Sequence, residues 1–240
     1  MLDKYNPTHI LFLDIETVPH KPAFDDLPGE EQALWELKSS HFRDEAQTAA
    51  DVYNRAGIYA EFGKIICISV GLMVSKGNGY GFRIKSFYAE DEQTLLHEFA
   101  RMLEKFAAKE KAWLCAHNGR EFDFPFMIRR MLVNRVAIPG LLDIADKKPW
   151  EVPFLDTMEL WKFGSYKHYT SLNLLAHLLD VPTPKDDIDG SMVGSVYYQE
   201  QDLERIVRYC EKDTLAVAQL FMRYRGQDLI DQKDIEYVRD

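Results

Sequence analysis

The sequence lacks a long apolar run and a regular cysteine pattern. None of its apolar stretches approaches the roughly 20 residues that cross a bilayer, and its N-terminal segment is not the basic-then-apolar signal of a secreted protein. We therefore expect a protein without membrane partners. Its three cysteines, Cys67, Cys115 and Cys210, lie far apart among apolar residues. This favours reduced core thiols in a cytoplasmic protein over a disulfide framework or a zinc site.

Positive charge is also scarce. The 240 residues include 29 Lys and Arg against 39 Asp and Glu, which gives a net charge of −10, and no basic block stands out. Proteins that hold duplex DNA through many phosphates usually present a basic face. Any handling of nucleic acid by this chain is therefore expected to be local, through metal ions and a few side chains.

Apolar runs and helical stripes alternate along the chain. Residues 8–14, 64–74 and 82–88 are rich in apolar and β-branched residues and predict a three-stranded antiparallel meander. Further strands are predicted at 112–116 and 152–157, and helices at 91–109, 124–135, 170–180 and 200–224. This order predicts an α/β fold in which a mixed five-stranded sheet, the meander plus parallel strands, is flanked by helices.

No Ser/Gly-rich linker divides the chain, so we expect a single domain over residues 1–240. Residues 20–62 are mostly helix-favouring and charged, which predicts a helical insertion after the first strand. Residues 225–240 are expected to form a C-terminal tail. The insertion could offer a docking surface for a partner protein, for example in a repair complex, or could be a merely solvated helix.

Two acids stand at the end of the first apolar run, in the stretch FLDIETVPH. Asp14 and Glu16 are two residues apart, so in a strand both side chains point to the same face. Mutual repulsion and desolvation penalise such a pair. Acids near strand ends also cap a following helix or face water, and the pair alone does not decide between these interpretations.

Two later segments offer further acids at the border of core and solvent. In HNGREFDFP, Asn118 suits a turn, and Asp123 could cap the next helix or serve a site. In YCEKD, Tyr209 and Asp213 are spaced i, i+4 on one edge of a buried helical stripe. A lone Tyr209 would more often be a packing aromatic. Asp213 beside a core stripe is unusual without a partner.

Four such acids brought together would not remain ionised without compensating charge. Two divalent cations supply that charge, and oxygen ligands favour Mg²⁺ or Mn²⁺ over zinc. The sequence therefore predicts that Asp14 and Glu16 are metal ligands.

These motifs resemble the DEDD superfamily of 3′–5′ exonucleases, which have a ribonuclease H-like fold, and most of all the branch related to the proofreading domain of family B DNA polymerases. DIET matches the first motif, HNGREFD the second and YCEKD the third. Tyr209 lies four residues before Asp213, as in the tyrosine subclass, and Arg208 occupies the position of the histidine in the other subclass.

The resemblance implies a 3′–5′ exonuclease that acts on the 3′ ends of single-stranded nucleic acid, DNA favoured, by two-metal phosphodiester hydrolysis. It implies one metal held by Asp14, Glu16 and Asp213, and a second held by Asp14 and reached by Asp123 through water. Tyr209 would orient the attacking water. The substrate-binding residues implied by the resemblance are Ile15, Thr17, Asn118 and Phe122.

A non-catalytic nucleic-acid-binding or scaffold domain that retains the fold is the alternative. Degenerate members of the superfamily should lose at least one acid, whereas this chain has all four acids and the tyrosine. Catalysis is therefore favoured.

Overall fold

A mixed sheet of six strands forms the centre of the computed structural model, which describes residues 2–77, 79–109, 111–165, 169–182 and 188–239. The strands are β1 (Ile10–Pro19), β2 (Gly63–Lys76), β3 (Gly79–Tyr88), β4 (Trp113–Ala116), β5 (Phe154–Asp156) and β6 (Ile235–Val238). Their order across the sheet is β5-β4-β1-β2-β3-β6. Strands β1, β2 and β3 form the predicted antiparallel meander, and β4, β5 and β6 join it in parallel.

Helices lie between the strands in sequence and cover the sheet. They are α1 (Gly29–Ser39), α2 (Glu92–Ala107), α3 (Asp123–Val133), α4 (Thr157–Lys162), α5 (Leu172–Leu178), α6 (Val193–Ser195) and α7 (Leu203–Tyr224). Helix α2 begins after Asp91, whose carboxylate accepts a hydrogen bond from the Thr94 amide at 2.8 Å, as expected of an N-cap residue. This architecture confirms the predicted fold class, an α/β fold of the ribonuclease H-like kind.

The two faces of β1 are buried against different helices. Leu11, Leu13 and Ile15 belong to the apolar cluster that includes α2 and α3. Ile10 and Phe12 point to the other face and pack in the cluster that includes α7. Because side chains alternate along a strand, every second residue after Phe12 also points toward the α7 side.

Strand β1 is longer than predicted. It continues to Pro19 instead of ending at residue 14, because β2 pairs with it down to the Pro19–Gly63 pair. Asp14 and Glu16 therefore lie within a paired strand and do not cap a helix that follows it.

The sheet has a sixth strand that we did not predict. Residues 225–240 were expected to form a tail, but Ile235–Val238 pairs in parallel with β3. Arg239, which follows this strand, donates hydrogen bonds to both carboxylate oxygens of buried Glu211 on α7. These contacts join segments far apart in sequence, and a four-residue run has too little periodicity to reveal them.

Residues 20–62, the insertion, combine α1 with two short 3-10 helices, Phe24–Asp26 and Tyr53–Ile58. The insertion has its own apolar cluster around fully buried Trp35, whose indole N–H donates to the Ala49 carbonyl oxygen at 2.8 Å. It is thus folded around a small core, with one regular helix instead of a continuously helical segment.

Within the described residues, none of the helices combines the length and the apolar character needed to cross a bilayer.

Candidate active site

The acids of β1 lie on the face that α7 covers. Asp14 and Glu16 follow Phe12 at intervals of two residues, and Val18 continues the same row into another buried cluster. Asp14 is half-buried, and Glu16 is only 7% exposed. The strand thus points two carboxylates into a nearly closed space, as the side-chain alternation predicts.

A break in the strand pairing occurs beside Glu16. Glu16 lies opposite Cys67, whereas Thr17 lies opposite Ile65, so Ile66 is an extra residue in β2. A bulge of this kind increases the local twist and redirects neighbouring side chains, and bulges are common next to active sites.

Helix α7 brings Tyr209 and Asp213 to the β1 acids. The Tyr209 hydroxyl hydrogen-bonds to the Asp213 side chain. Burial raises the pKa of Tyr209 well above its usual value, and the charges of Asp213 and Glu16 raise it further. The phenol therefore remains protonated at physiological pH. Between these two residues, the Cys210 thiol points into the core and donates to the Asp14 carbonyl oxygen at 3.4 Å.

The fourth acid comes from the first residue of α3. Asp123 does not cap the helix, because Phe122 occupies the N-cap position. Its carboxylate accepts hydrogen bonds from its own amide and from the Ile15 amide. Burial nevertheless raises the pKa of Asp123 to about 7, with contributions from the charges of Asp156 and Asp213. Asp123 is the first residue of α3 and not its N-cap, so the interpretation of Asp123 as a helix cap is wrong.

The acids penalise one another's ionisation. Burial raises the pKa of the Asp14 carboxyl well above its usual range, and the neighbouring carboxylates, Glu16 first, raise it further. Burial is also the largest cause of the raised pKa of Glu16, followed by the charge of Asp213. The charges of Glu16, Asp213 and Asp123 all act on the Asp14 carboxyl, so the four predicted acids form one cluster that favours bound positive charge.

The donor chemistry of the cluster fits divalent cations. Ligand atoms of Asp14, Glu16 and Cys210 lie within 4.8 Å of one another. The Cys210 thiol was predicted only as a core residue, and it is fully buried and not in a disulfide. Carboxylate oxygens dominate the set, and such oxygens suit Mg²⁺ or Mn²⁺.

Asp156, at the end of β5, anchors the loop that precedes Asp123. Its carboxylate accepts hydrogen bonds from the amides of Asn118 and Arg120, both at 3.0 Å. It also accepts a hydrogen bond from the amide of Met158, in the first turn of α4, at 2.9 Å, so Asp156 caps that helix. No local pattern signals this role, because the acceptor is 38 residues away from Asn118 along the chain.

Asn118 itself has an unusual conformation. Its φ is +60°, a left-handed value that asparagine tolerates better than most residues. Its side-chain oxygen is buried and has no hydrogen-bond partner among the described residues. A buried acceptor without a partner is costly, so this oxygen is available to a ligand.

The remaining predicted substrate residues border one cavity. Ile15, Thr17 and Phe122 line a space of about 580 Å³ that also touches Glu16. This volume is in the range of cavities that bury small ligands. The Phe122 ring packs on Phe126 with the ring centroids 5.3 Å apart, which supports it from α3.

Tyr169 is a neighbour of the acids that we did not predict. It is 64% exposed, yet burial and then the charges of Asp123 and Asp213 raise the pKa of its hydroxyl. Its ring meets that of His117 edge-on at 6.4 Å. Aromatic residues in loops are common, and nothing in its local sequence marks Tyr169 as part of the site.

Comparison with protein families identifies a nuclease family. A family described as predicted 3′-5′ exonuclease related to the exonuclease domain of PolB matches residues 58–237. The matched part includes Asp123, Tyr209 and Asp213, whereas Asp14 and Glu16 precede it. No curated protein matches the chain.

Proposed function

The chain belongs to the family of predicted 3′-5′ exonucleases related to the exonuclease domain of PolB, and from this premise we propose that it is a metal-dependent 3′–5′ exonuclease. Its substrate would be the 3′ end of single-stranded nucleic acid, DNA favoured. The observation that carries the proposal is the convergence of four carboxyl groups from β1, α3 and α7 on one site, where burial and mutual repulsion raise the pKa values of Asp14, Glu16 and Asp123.

Asp14, Glu16 and Asp213 would hold one divalent cation, and Asp14 with Asp123 would hold the second. When bound, such cations would lower the pKa of a water to supply the nucleophile at neutral pH and would neutralise charge on the departing 3′ oxygen. Burial and then mutual repulsion raise the pKa values of Asp14 and Glu16, and bound cations would offset both costs by supplying positive charge.

Tyr209 would orient the attacking water. Its hydroxyl hydrogen-bonds to Asp213, and its raised pKa keeps it protonated. A phenol in that state is a poor general base, so its contribution would be positioning through a hydrogen bond.

Phe122 would stack on the base of the terminal nucleotide without selecting its identity. The side-chain oxygen of Asn118, which lacks a partner among the described residues, would accept a hydrogen bond from the substrate. Ile15 and Thr17 would contact the terminal sugar, since both line the cavity beside Glu16. We further propose that residues 1–240 act as one exonuclease domain. Three buried cysteines outside any disulfide fit a cytoplasmic protein.

Digestion of a 5′-labelled single-stranded oligonucleotide tests the proposal. The oligonucleotide is supplied as DNA and as RNA, with Mg²⁺, with Mn²⁺ or with EDTA. We expect a ladder that shortens from the 3′ end, faster on DNA, and abolished by EDTA and by Asp14→Asn. The control Asp25→Asn makes the same chemical change at an exposed position of the insertion and should keep full activity.

Oligonucleotides that survive micromolar protein with either metal would contradict the proposal. Retained binding of the same oligonucleotides would then support a non-catalytic nucleic-acid-binding domain.

A further inference from the structure

The insertion and the segment 188–202 face each other across the cavity that borders Glu16. Asn54 and Arg55 line it from the insertion, and Tyr198 and Gln199 line it from the facing segment. The insertion therefore contributes directly to the space beside the candidate catalytic acids.

Both walls of the cavity are fixed to the same end of β1. Gly57 of the insertion approaches the strand so closely that an added Cβ would meet the Pro19 side chain and the Val18 backbone at 3.1 Å. From the other wall, the Tyr198 hydroxyl donates to the Pro19 carbonyl oxygen. Pro19 follows Glu16 by three residues, a distance of about 10 Å along a strand. The walls are thus held at a set position relative to Glu16.

Arg55 is the only cationic side chain among the described residues that line this cavity. Its guanidinium lies over the ring of Phe42, with 4.3 Å between its carbon and the ring centroid. Within the described residues it forms neither an ion pair nor a side-chain hydrogen bond. Stacking on an aromatic ring orients a guanidinium while leaving its N–H groups available to an acceptor.

Neutral hydrogen-bonding groups accompany this cation. Asn54 lines the cavity next to Arg55. On the facing wall, the Oε1 of Gln199 accepts from the Ser195 hydroxyl at 3.0 Å, which leaves the amide N–H groups of Gln199 as donors. Arginine together with Ser, Asn and Gln side chains is the set that contacts phosphates and sugars of nucleic acids.

We infer that Arg55 binds a backbone phosphate of the substrate strand other than the one being cleaved. The insertion then forms one wall of the cavity in which the substrate strand binds. This inference rests on the proposed function, since it assigns the strand to the same site. Arg55 also supplies the one positive charge among the described residues that line this cavity, in a chain with a net charge of −10.

The test compares two substrates of the full chain. One is a single-stranded oligonucleotide, and the other is the p-nitrophenyl ester of thymidine 5′-monophosphate, which contains a scissile phosphate and no other. The variants are Arg55→Gln, Arg55→Lys and the matched control Lys38→Gln. Lys38 also lies on the insertion, over the ring of Tyr59 at 4.8 Å, but does not line the cavity.

For Arg55→Gln we expect the KM for the oligonucleotide to rise about tenfold with kcat little changed, as one charged contact would give. The salt dependence of log(kcat/KM) should become shallower by about 0.7, the value for one phosphate of a single strand. Arg55→Lys should restore the salt dependence. Hydrolysis of the nitrophenyl ester should stay unchanged in every variant, which also shows that each variant is folded.

Equal losses on both substrates would overturn the inference, because Arg55 would then act on the terminal nucleotide or on folding. Unchanged oligonucleotide kinetics in Arg55→Gln would overturn it as well, while the proposed function would stand. Wild-type protein that cleaves neither substrate would overturn the proposed function and this inference with it.

Discussion

Replacing Asp123 by asparagine should stabilise the metal-free protein while it abolishes the proposed activity. Asp123 is 4% exposed, and burial raises its pKa from 3.8 to about 7. Because the folded-state pKa exceeds the unfolded-state value, the proton stabilises the folded protein below pH 4, and this stability is lost as the pH rises to 7. Above pH 7 the ionised carboxylate costs about 4 kcal/mol of folding free energy.

The amide side chain introduced by Asp123→Asn would keep an oxygen that accepts from the Ile15 amide and would carry no charge. We expect the free energy of unfolding of this variant to exceed that of the wild-type protein by about 2–4 kcal/mol at pH 8. This difference raises Tm by roughly 4–15 °C for a chain of this size. The gain should fall steadily as the pH drops from 7 towards 4, where the wild-type carboxyl is protonated in the folded state and ionised in only about half of the unfolded chains. Mg²⁺ should raise the Tm of the wild-type protein more than that of the variant.

Thermal melts in EDTA at pH values from 4 to 8, followed by circular dichroism, measure this difference. Asp91→Asn is the matched control. Hydrogen bonds from Thr94 lower the pKa of exposed Asp91, so its ionised form stabilises the fold and the substitution should not raise Tm at pH 8. An unchanged or lowered Tm for Asp123→Asn at pH 8, or a gain independent of pH, would refute the electrostatic reasoning.

Single contacts elsewhere in the molecule give three further expectations. Tyr209→Phe should lower kcat by about 10–100-fold with KM nearly unchanged, because the variant keeps the aromatic ring and loses only the hydroxyl that orients the water. Oligonucleotide digestion measures both constants. Asp156→Ala should lower the free energy of unfolding by about 2–4 kcal/mol in urea titrations and reduce activity, since it leaves the Asn118 amide without its acceptor. Gly71→Ala should lower the free energy of unfolding by about 1–3 kcal/mol, because the added Cβ would lie 2.0 Å from the Phe82 ring. An Asp156→Ala variant with wild-type stability and kinetics would contradict the anchoring role, and a Gly71→Ala variant of unchanged stability would contradict the close packing.

The strands that the sequence predicts correctly are those whose pattern and pairing depend on residues close together in the chain. The runs at 64–74 and 82–88 became β2 and β3, because alternating apolar residues joined by a glycine-rich turn specify a hairpin. The parallel strand Ile235–Val238 could not be predicted, because its partner β3 lies far earlier in the chain and its own four residues carry little pattern.

The candidate acids were recognisable for the same reason. The spacing of Asp14 and Glu16 in a strand, and of Tyr209 and Asp213 in a helix, sets each pair on one side of its element before any tertiary structure is known. The residues that support them were not recognisable. Asp156 acts through amides of a distant loop, and Arg55 reaches the cavity only because the insertion folds back on the end of β1.

The most direct test of the central claim, that the clustered acids hold two divalent cations, is anomalous diffraction from crystals soaked with Mn²⁺ and thymidine 5′-monophosphate. We predict two peaks roughly 3.5–4 Å apart, in contact with the carboxylates of Asp14, Glu16, Asp123 and Asp213. No peak in this cluster, or a single peak bound by Cys210 together with Asp14 and Glu16, would contradict the account.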